Sequence, residues 1–289
     1  MIPWHYSSQP CRNAARFLPS FVIVAFLIIL ITPTTPVLAA DYIAGSGCSV
    51  SNEGYLTELA REYERRTGVR VLVRGGGSAV GIDDLRSGKV DFAASCRSRE
   101  KDDPQDVQFV QVAWDALVFI VHPSNTVSSV TAAQIHDILM NRIRDWKQLK
   151  GRDGRIKLFI SRARIGLSGV ESSTKSLILQ GKEPVESPDT LFLASTGIVE
   201  QMVEKTPDGF AVTGFSSAQK RAVKLLKVNG VKPTVKNIIS GAYPYRRPLF
   251  ILLPHSPKPE VQRFVDYILS KEGQKFIRSQ NVVSLLDVP

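Results

Sequence analysis

The chain has 289 residues, 43% hydrophobic and 22% charged, a composition that excludes a disordered or fibrous protein and leaves room for two ordinary domains. A formal net charge of +10 favours an anionic partner. The basic residues are scattered among acids rather than gathered in a block, so nucleic acid is not expected.

The first 40 residues stand apart. Arg12 and Arg16 with no acidic residue precede eleven uninterrupted apolar residues, Phe21 to Ile31, and then Val37, Leu38, Ala39 and Ala40. That order is the one of a secretory signal, cut near Ala39 or Ala40, and the apolar run is too short to span a bilayer. Cys11 lies before that run and Cys48 lacks a leucine-type residue three positions earlier, so a lipid-anchored form is not expected. Removing residues 1–40 leaves 35 basic against 27 acidic residues, a charge of +8, and two cysteines, Cys48 and Cys96, expected in an oxidising exported compartment.

The mature chain alternates strand and helix signals. A strand is expected at Asp41–Ala44, then a loop through Cys48 to Ser51, then a helix on Tyr55, Leu56, Leu59, Ala60 and Tyr63 that stops at Gly68. Strand Val69–Val73, the Gly75-Gly76-Gly77-Ser78 loop, a short helix on Ile82 and Leu85, and strand Val90–Ala94 complete a βαβαβ unit with a largely parallel sheet. Ala116–Val121 reads as a strand, Thr131 with Gln134 as a capping box, Ile156–Ile160 as a strand, and Ser168-Gly169 as a helix start. Further strands are expected at Phe210–Phe215 and Leu249–Leu253. An amphipathic helix is expected from Pro259 to Ile277, with a break at Gly273. Crossings at Pro123–Asn125 and at the Tyr243–Pro248 turn would join two lobes by a hinge, residues 41–122 with 246–289 forming one and 123–245 the other.

Three Gly/Ser-rich loops each open a helix, at Ser49–Asn52, at Gly77-Ser78-Ala79 and at Ser168-Gly169. Loops after parallel strands gather at one sheet edge, and helix N-termini offer free N–H groups and partial positive charge. Arg164 adds a planar cationic fork. Together these suit a small tetrahedral oxyanion. Nucleotide binding is disfavoured, because the third glycine of the dinucleotide pattern and any P-loop are missing. His122, His136 and His255 form no triad pattern with a G-x-S-x-G, and paired Cys/His spacings for zinc are lacking. No enzyme activity, metal or cofactor is expected.

The stretches GSGCSVSNEG, GGGSAVGIDDLRSGKVDFAASCR, DALVFIVHPSN, ILMNRIRDW and ISGAYPYRRPLF occur in an order that resembles the phosphate-binding proteins of ABC phosphate transporters. The resemblance covers essentially the whole chain from Asp41 onward. It implies an α/β, two-lobe periplasmic-binding-protein fold, each lobe a mostly parallel sheet flanked by helices, with two hinge crossings. It also implies a monomer that captures inorganic phosphate and delivers it to a membrane permease. Carried over by position, the ligand set is Ser49, Val50, Ser78, Cys96, Arg164, Ser168, Gly169 and Val170.

Two of these depart from the family's pattern. Cys96 stands where an aspartate or serine is usual, and a thiol is a poor acceptor for the proton of hydrogen phosphate. Val170 replaces a threonine and lacks its hydroxyl. Both favour an alternative reading, a phosphate-sensing or surface interaction protein of the same fold with weakened anion binding. Arg97 either reaches the cleft or forms a surface salt bridge. Cys48 and Cys96, both at carboxyl ends of first-lobe strands, form either a disulfide or two small buried residues.

Overall fold

The computed structural model describes residues 42–162 and 168–288. The proposed signal segment and Arg164 therefore lie outside the described residues. The chain begins with strand β1 (Tyr42–Gly47) and a helical run formed by α1 (Ser49–Ser51), a π-helical turn (Asn52–Leu56) and α2 (Thr57–Thr67). Strand β2 (Arg70–Gly75), helix α3 (Ser78–Arg86), strand β3 (Phe92–Ser95) and the long β4 (Val107–Val121) follow. β1 pairs in parallel with both β2 and β3, as the βαβαβ reading requires. Gly68 ends α2 in the left-handed region at φ 76°, a conformation glycine adopts without a Cβ penalty.

After β4 come β5 (Ser129–Val130), α4 (Ala132–Leu139), β6 (Lys157–Ser161), α5 (Gly169–Leu177) and β7 (Thr190–Leu193). Next are α6 (Thr196–Lys205), β8 (Gly209–Gly214), α7 (Phe215–Ala218), β9 (Lys224–Leu225), β10 (Lys227–Val228) and α8 (Val235–Ile239). The chain closes with β11 (Arg246–Pro254), α9 (Pro259–Leu269), α10 (Lys271–Ser279) and β12 (Val283–Ser284). The Thr131–Gln134 capping box is present with both of its hydrogen bonds, at 3.1 and 2.8 Å.

β4 organises the sheet. Up to Ala116 it runs antiparallel to β11, and from Leu117 onward it runs antiparallel to β8. The strand order is β2-β1-β3-β11-β4 on one side and β4-β8-β6-β7 on the other, with β6 parallel to both β7 and β8. These halves are the two lobes of a periplasmic-binding-protein fold. The partner change falls earlier than Pro123–Asn125, because the strand runs unbroken through Val121. On the return, the Leu117 N–H donates to the Tyr245 carbonyl at 3.0 Å, so both crossings meet at one place.

Each lobe has an aromatic centre. In the first, Phe264 of α9 lies edge-on to Tyr63 of α2 at 5.0 Å and tilted against Phe92 at 5.5 Å. In the second, Phe210 stacks on Phe119 at 6.2 Å and meets the fully buried Trp146. The C-terminal helix breaks at Ser270, not Gly273, because the Ser270 hydroxyl accepts from the Gly273 N–H at 3.1 Å and starts a new helix. Gly273 packs instead against the end of α9, where a Cβ would lie 2.0 Å from the Tyr267 carbonyl oxygen. Gly273→Ala is therefore expected to destabilise the protein by about 1–3 kcal/mol in urea unfolding; an unchanged midpoint would show that α10 shifts freely.

Candidate functional site

The site is built from strand-to-helix junctions. β1 ends at Gly47, and the Cys48 N–H donates to the Ala94 carbonyl of β3 at 2.8 Å. Cys48 then caps the helical run, its Sγ accepting from the Ser51 N–H at 3.4 Å. The glycine loop after β2 brings the Gly77 N–H to the Gly47 carbonyl at 2.9 Å. Gly77 sits at φ 101°, so a side chain there would be strained. α3 starts at Ser78, whose fully buried hydroxyl accepts from the Cys96 N–H at 3.3 Å.

The second lobe supplies α5. Ser168 is its N-cap: the hydroxyl accepts from the Glu171 N–H at 3.0 Å and lies 2.6 Å from the Ser161 hydroxyl. Gly169 meets the first lobe directly, since a Cβ built there would be 2.5 Å from both Cys96 Sγ and Ser78 Oγ. The Ser173 hydroxyl, one turn on, reaches the Cys96 carbonyl at 3.3 Å and the Gly169 carbonyl at 2.8 Å.

Ser78, Cys96 and Gly169 are thus brought into one seam between the lobes, with Ser168 beside it. Val50 is buried next to Gly214, where a Cβ would lie 2.3 Å from its Cγ1. Val170 is also buried, but it lines an apolar pocket with Leu139, Phe159 and Val212. Ser49 is apart from the seam. Its hydroxyl faces Gly75, and it lines a cleft of about 400 Å³ with Asn52, Ser195 and Arg221. Arg221 there spans the lobes, 3.3 Å from the buried Glu200 and 3.6 Å from Glu53. Burial pushes the Glu200 carboxyl up, against hydrogen bonds from Ser217 and Thr213 and the Arg221 charge.

Arg97 is neither free in the cleft nor on the surface. It is 6% exposed and grips Asp103 through two hydrogen bonds of 2.6 and 2.8 Å.

The most consequential pair joins two residues far apart in the sequence. Arg247 on β11 lies directly across from Asp115 on β4, both buried, with Nη2 and Nε donating to Asp115 Oδ2 at 3.0 and 3.2 Å. Asp115 Oδ1 accepts from the Ser216 N–H at the start of α7 at 2.9 Å. Arg247 Nη1 donates to the Gly169 carbonyl at 3.3 Å. The available signal was a lone aspartate inside the apolar run VAWDALVFIV, since a buried charge needs a partner. Arg247→Ala strands Asp115 in the interior and is expected to cost about 3–5 kcal/mol in urea unfolding. Asp115→Asn combined with Arg247→Gln should cost less than the two single changes added together, and strictly additive losses would show the pair is not coupled.

Cys48 and Cys96 are both free and buried in the structure, and each thiol influences the ionisation of the other. Burial works against ionising Cys96, but the neighbouring Cys48 thiol and the nearby Arg247 charge outweigh it and lower its pKa to about 7. Burial and the neighbouring Cys96 push Cys48 well up, so the pair gives up its first proton around pH 7 and keeps the second well above the free-thiol range. Between pH 7 and the range of a free thiol, the unfolded chain binds more protons than the folded one. Stability from this group is therefore full above the free-thiol range and lost as pH falls through about 7. The wild type should gain on the order of 2 kcal/mol over Cys96→Ser between pH 7 and 9 in chemical unfolding; parallel pH profiles for the two proteins would refute this.

The described residues thus assemble buried hydroxyls, a helix N-terminus, a thiol pair and an internal guanidinium at one interlobe seam. Comparison with known proteins agrees with this architecture. The PBP superfamily domain matches residues 32–272. The chain is similar to the phosphate-binding protein PstS of Borreliella burgdorferi, 28% identical over 256 residues that cover 85% of this chain and 91% of the relative. It is 26% identical to PstS of Bacillus subtilis over 247 residues, covering 84% and 80% of the two chains. Among solved structures, a putative phosphate ABC transporter substrate-binding protein with bound phosphate from Clostridium perfringens matches with a TM-score of 0.77. It has 23% identity and covers 85% of this chain and 100% of that one. An ABC-type phosphate transport receptor from Vibrio cholerae matches with a TM-score of 0.65 at 25% identity, covering 84% and 100%.

Proposed function

The chain belongs to the PBP superfamily, and on that premise we propose that it is an exported solute-binding protein. In this reading it captures inorganic phosphate, or a similar tetrahedral oxyanion, and passes it to an ABC permease in the membrane. The observation that carries the reading is the convergence of Ser78, Cys96 and the Gly169 end of α5 beside the buried Arg247. The names of the relatives, phosphate-binding proteins over most of the chain, support the same ligand.

Capture needs the seam to part. Gly169 is packed against Cys96 and Ser78 too closely for an anion to pass between them. Residues 41–122 with 246–289 would swing against residues 123–245 about the paired crossings at Leu117 and Tyr245, admit the anion and close again. Hydroxyl and N–H donors held in place then replace its hydration shell without reorganising. Arg164, with Ser168 and Gly169, supplies the charged fork, and no covalent step is involved.

Cys96 gives this site its own pH behaviour. A thiolate beside the anion repels it, so binding is favoured when the thiol pair is fully protonated. Sulfate, which keeps its charge over this range, should bind more tightly at pH 6 than at pH 8 in calorimetry, and Cys96→Ser should flatten that difference. Arg164→Ala should weaken phosphate binding by about tenfold to a hundredfold, the loss of charge-assisted hydrogen bonds. No heat from phosphate, sulfate or arsenate, or unchanged binding by Arg164→Ala, would overturn the reading.

A further inference from the structure

A cavity of about 540 Å³ opens beside the seam, between the loop after β3, the second and third turns of α5 and the start of β11. Arg247 and Ser173 reach both places, but none of the described ligand positions predicted from sequence lines this cavity. Five cationic side chains line it, Arg97, Arg99, Lys175, Arg246 and Arg247, against a single acid, Glu100. Ser98, Ser172, Ser173 and Ser176 add hydroxyl donors. We propose that this cavity is a second anion site, for a linear condensed phosphate such as tripolyphosphate.

The cations are already fixed in place. Arg97 is clamped by Asp103, Arg247 by Asp115, and Lys175 lies 2.5 Å from Glu183. Those three carboxylates lie outside the lining, whereas Arg99 and Arg246 have no carboxylate partner among the described residues. Arg99 is held over the Phe109 ring at 4.5 Å and donates to the Pro104 and Val107 carbonyls. Arg246 lies over the Trp114 ring at 4.7 Å. Both are exposed, and their guanidinium groups rest on aromatic faces and, for Arg99, neutral oxygens, without a carboxylate salt bridge. Arg97 Nε, on a side chain only 6% exposed, makes no hydrogen bond among the described residues and faces the Glu100 carboxylate at 3.7 Å.

The ligand class follows from the lining. A single tetrahedral oxyanion would fill only a small part of this volume, and the unneutralised guanidinium groups stand on two separate segments of chain. Both observations favour a ligand with several anionic groups in a row. Apart from Leu177, Gly181 and Pro248 every lining residue carries a polar or charged side chain, so recognition can run through charge and hydroxyl donors. Glu100, whose carboxylate accepts from Ser172, is the one group that opposes binding.

The test is calorimetry of the mature protein with tripolyphosphate, alone and in saturating orthophosphate, with thermal melts to verify folding. Tripolyphosphate should bind in both conditions. Arg99→Ser and Arg246→Ser should each weaken it about tenfold or more while leaving orthophosphate affinity within about twofold. Glu100→Gln should tighten it, and Arg61→Ser, on the far α2 surface, should not change it. Should Arg246→Ser fail to fold, Arg246→Lys, which keeps the charge but loses the planar stack, carries the same expectation with a smaller loss. No tripolyphosphate heat, its displacement by orthophosphate, or an equal loss in Arg61→Ser would overturn the proposal. Orthophosphate binding without tripolyphosphate binding refutes this site alone, whereas silence from orthophosphate refutes the reading above.

Discussion

The ion pair between Arg247 and Asp115 is the constraint on which the rest of the structure hangs. Both charges are removed from water, a cost that Coulomb attraction offsets only when the geometry is good and the remaining polar atoms are satisfied. Here the guanidinium places two N–H groups on one carboxylate oxygen, and the other oxygen takes the Ser216 N–H. The two residues sit opposite each other on the strands that run between the lobes, so the pair fixes the register where β4 changes partners. Gly214 is part of the same arrangement. A Cβ there would lie 2.6 Å from Asp115 and 2.9 Å from Arg247, so only glycine lets β8 come this close.

From that pair the electrostatics of the seam follow. Arg247 projects a positive field toward the thiols, which is one reason Cys96 gives up a proton so readily for a buried group. It also binds the Gly169 carbonyl, holding the first turn of α5 against the first lobe. One side chain therefore sets both the charge of the seam and how tightly it shuts. In the proposed opening, the contacts to be broken at the seam are hydrogen bonds to this fixed ion, away from the aromatic centres at Phe264 and Phe210.

Features that rest on neighbours in sequence were legible. The Thr131 capping box, the Gly68 stop and the Ser168 cap each depend on residues within four positions, and local chemistry decides them. The first half of β4, Val107 to Asp115, carries no clear strand signal, because its mix of exposed and half-buried positions blurs the alternation. The break between α9 and α10 falls at Ser270 and not at Gly273, although glycine is the usual breaker. Here it is a contact surface, and the serine before it both ends one helix and begins the next. The Arg247–Asp115 pair spans 132 positions in sequence, and nothing local tells a charged residue which distant partner will neutralise it. The resemblance supplied the seam's first-lobe and α5 residues but not the ion beneath them.

The two departures from the family pattern now carry different weight. Val170 turns into an apolar pocket with Phe159 and Val212, so its side chain is satisfied by packing, and a hydroxyl in that place would need a partner of its own. The change there is a repacking of the second lobe. Cys96 is different, because it stays in the seam, touches Ser78 and Gly169, and feels Arg247. A carboxylate in its place would carry a fixed negative charge at any ordinary pH and would accept a proton from the ligand. The thiol pair instead adjusts its own charge to the surroundings, neutral below about 7 and negative above it. On the proposed function, discrimination among anions would follow the protonation state of the protein rather than that of the ligand, a pH-dependent selectivity.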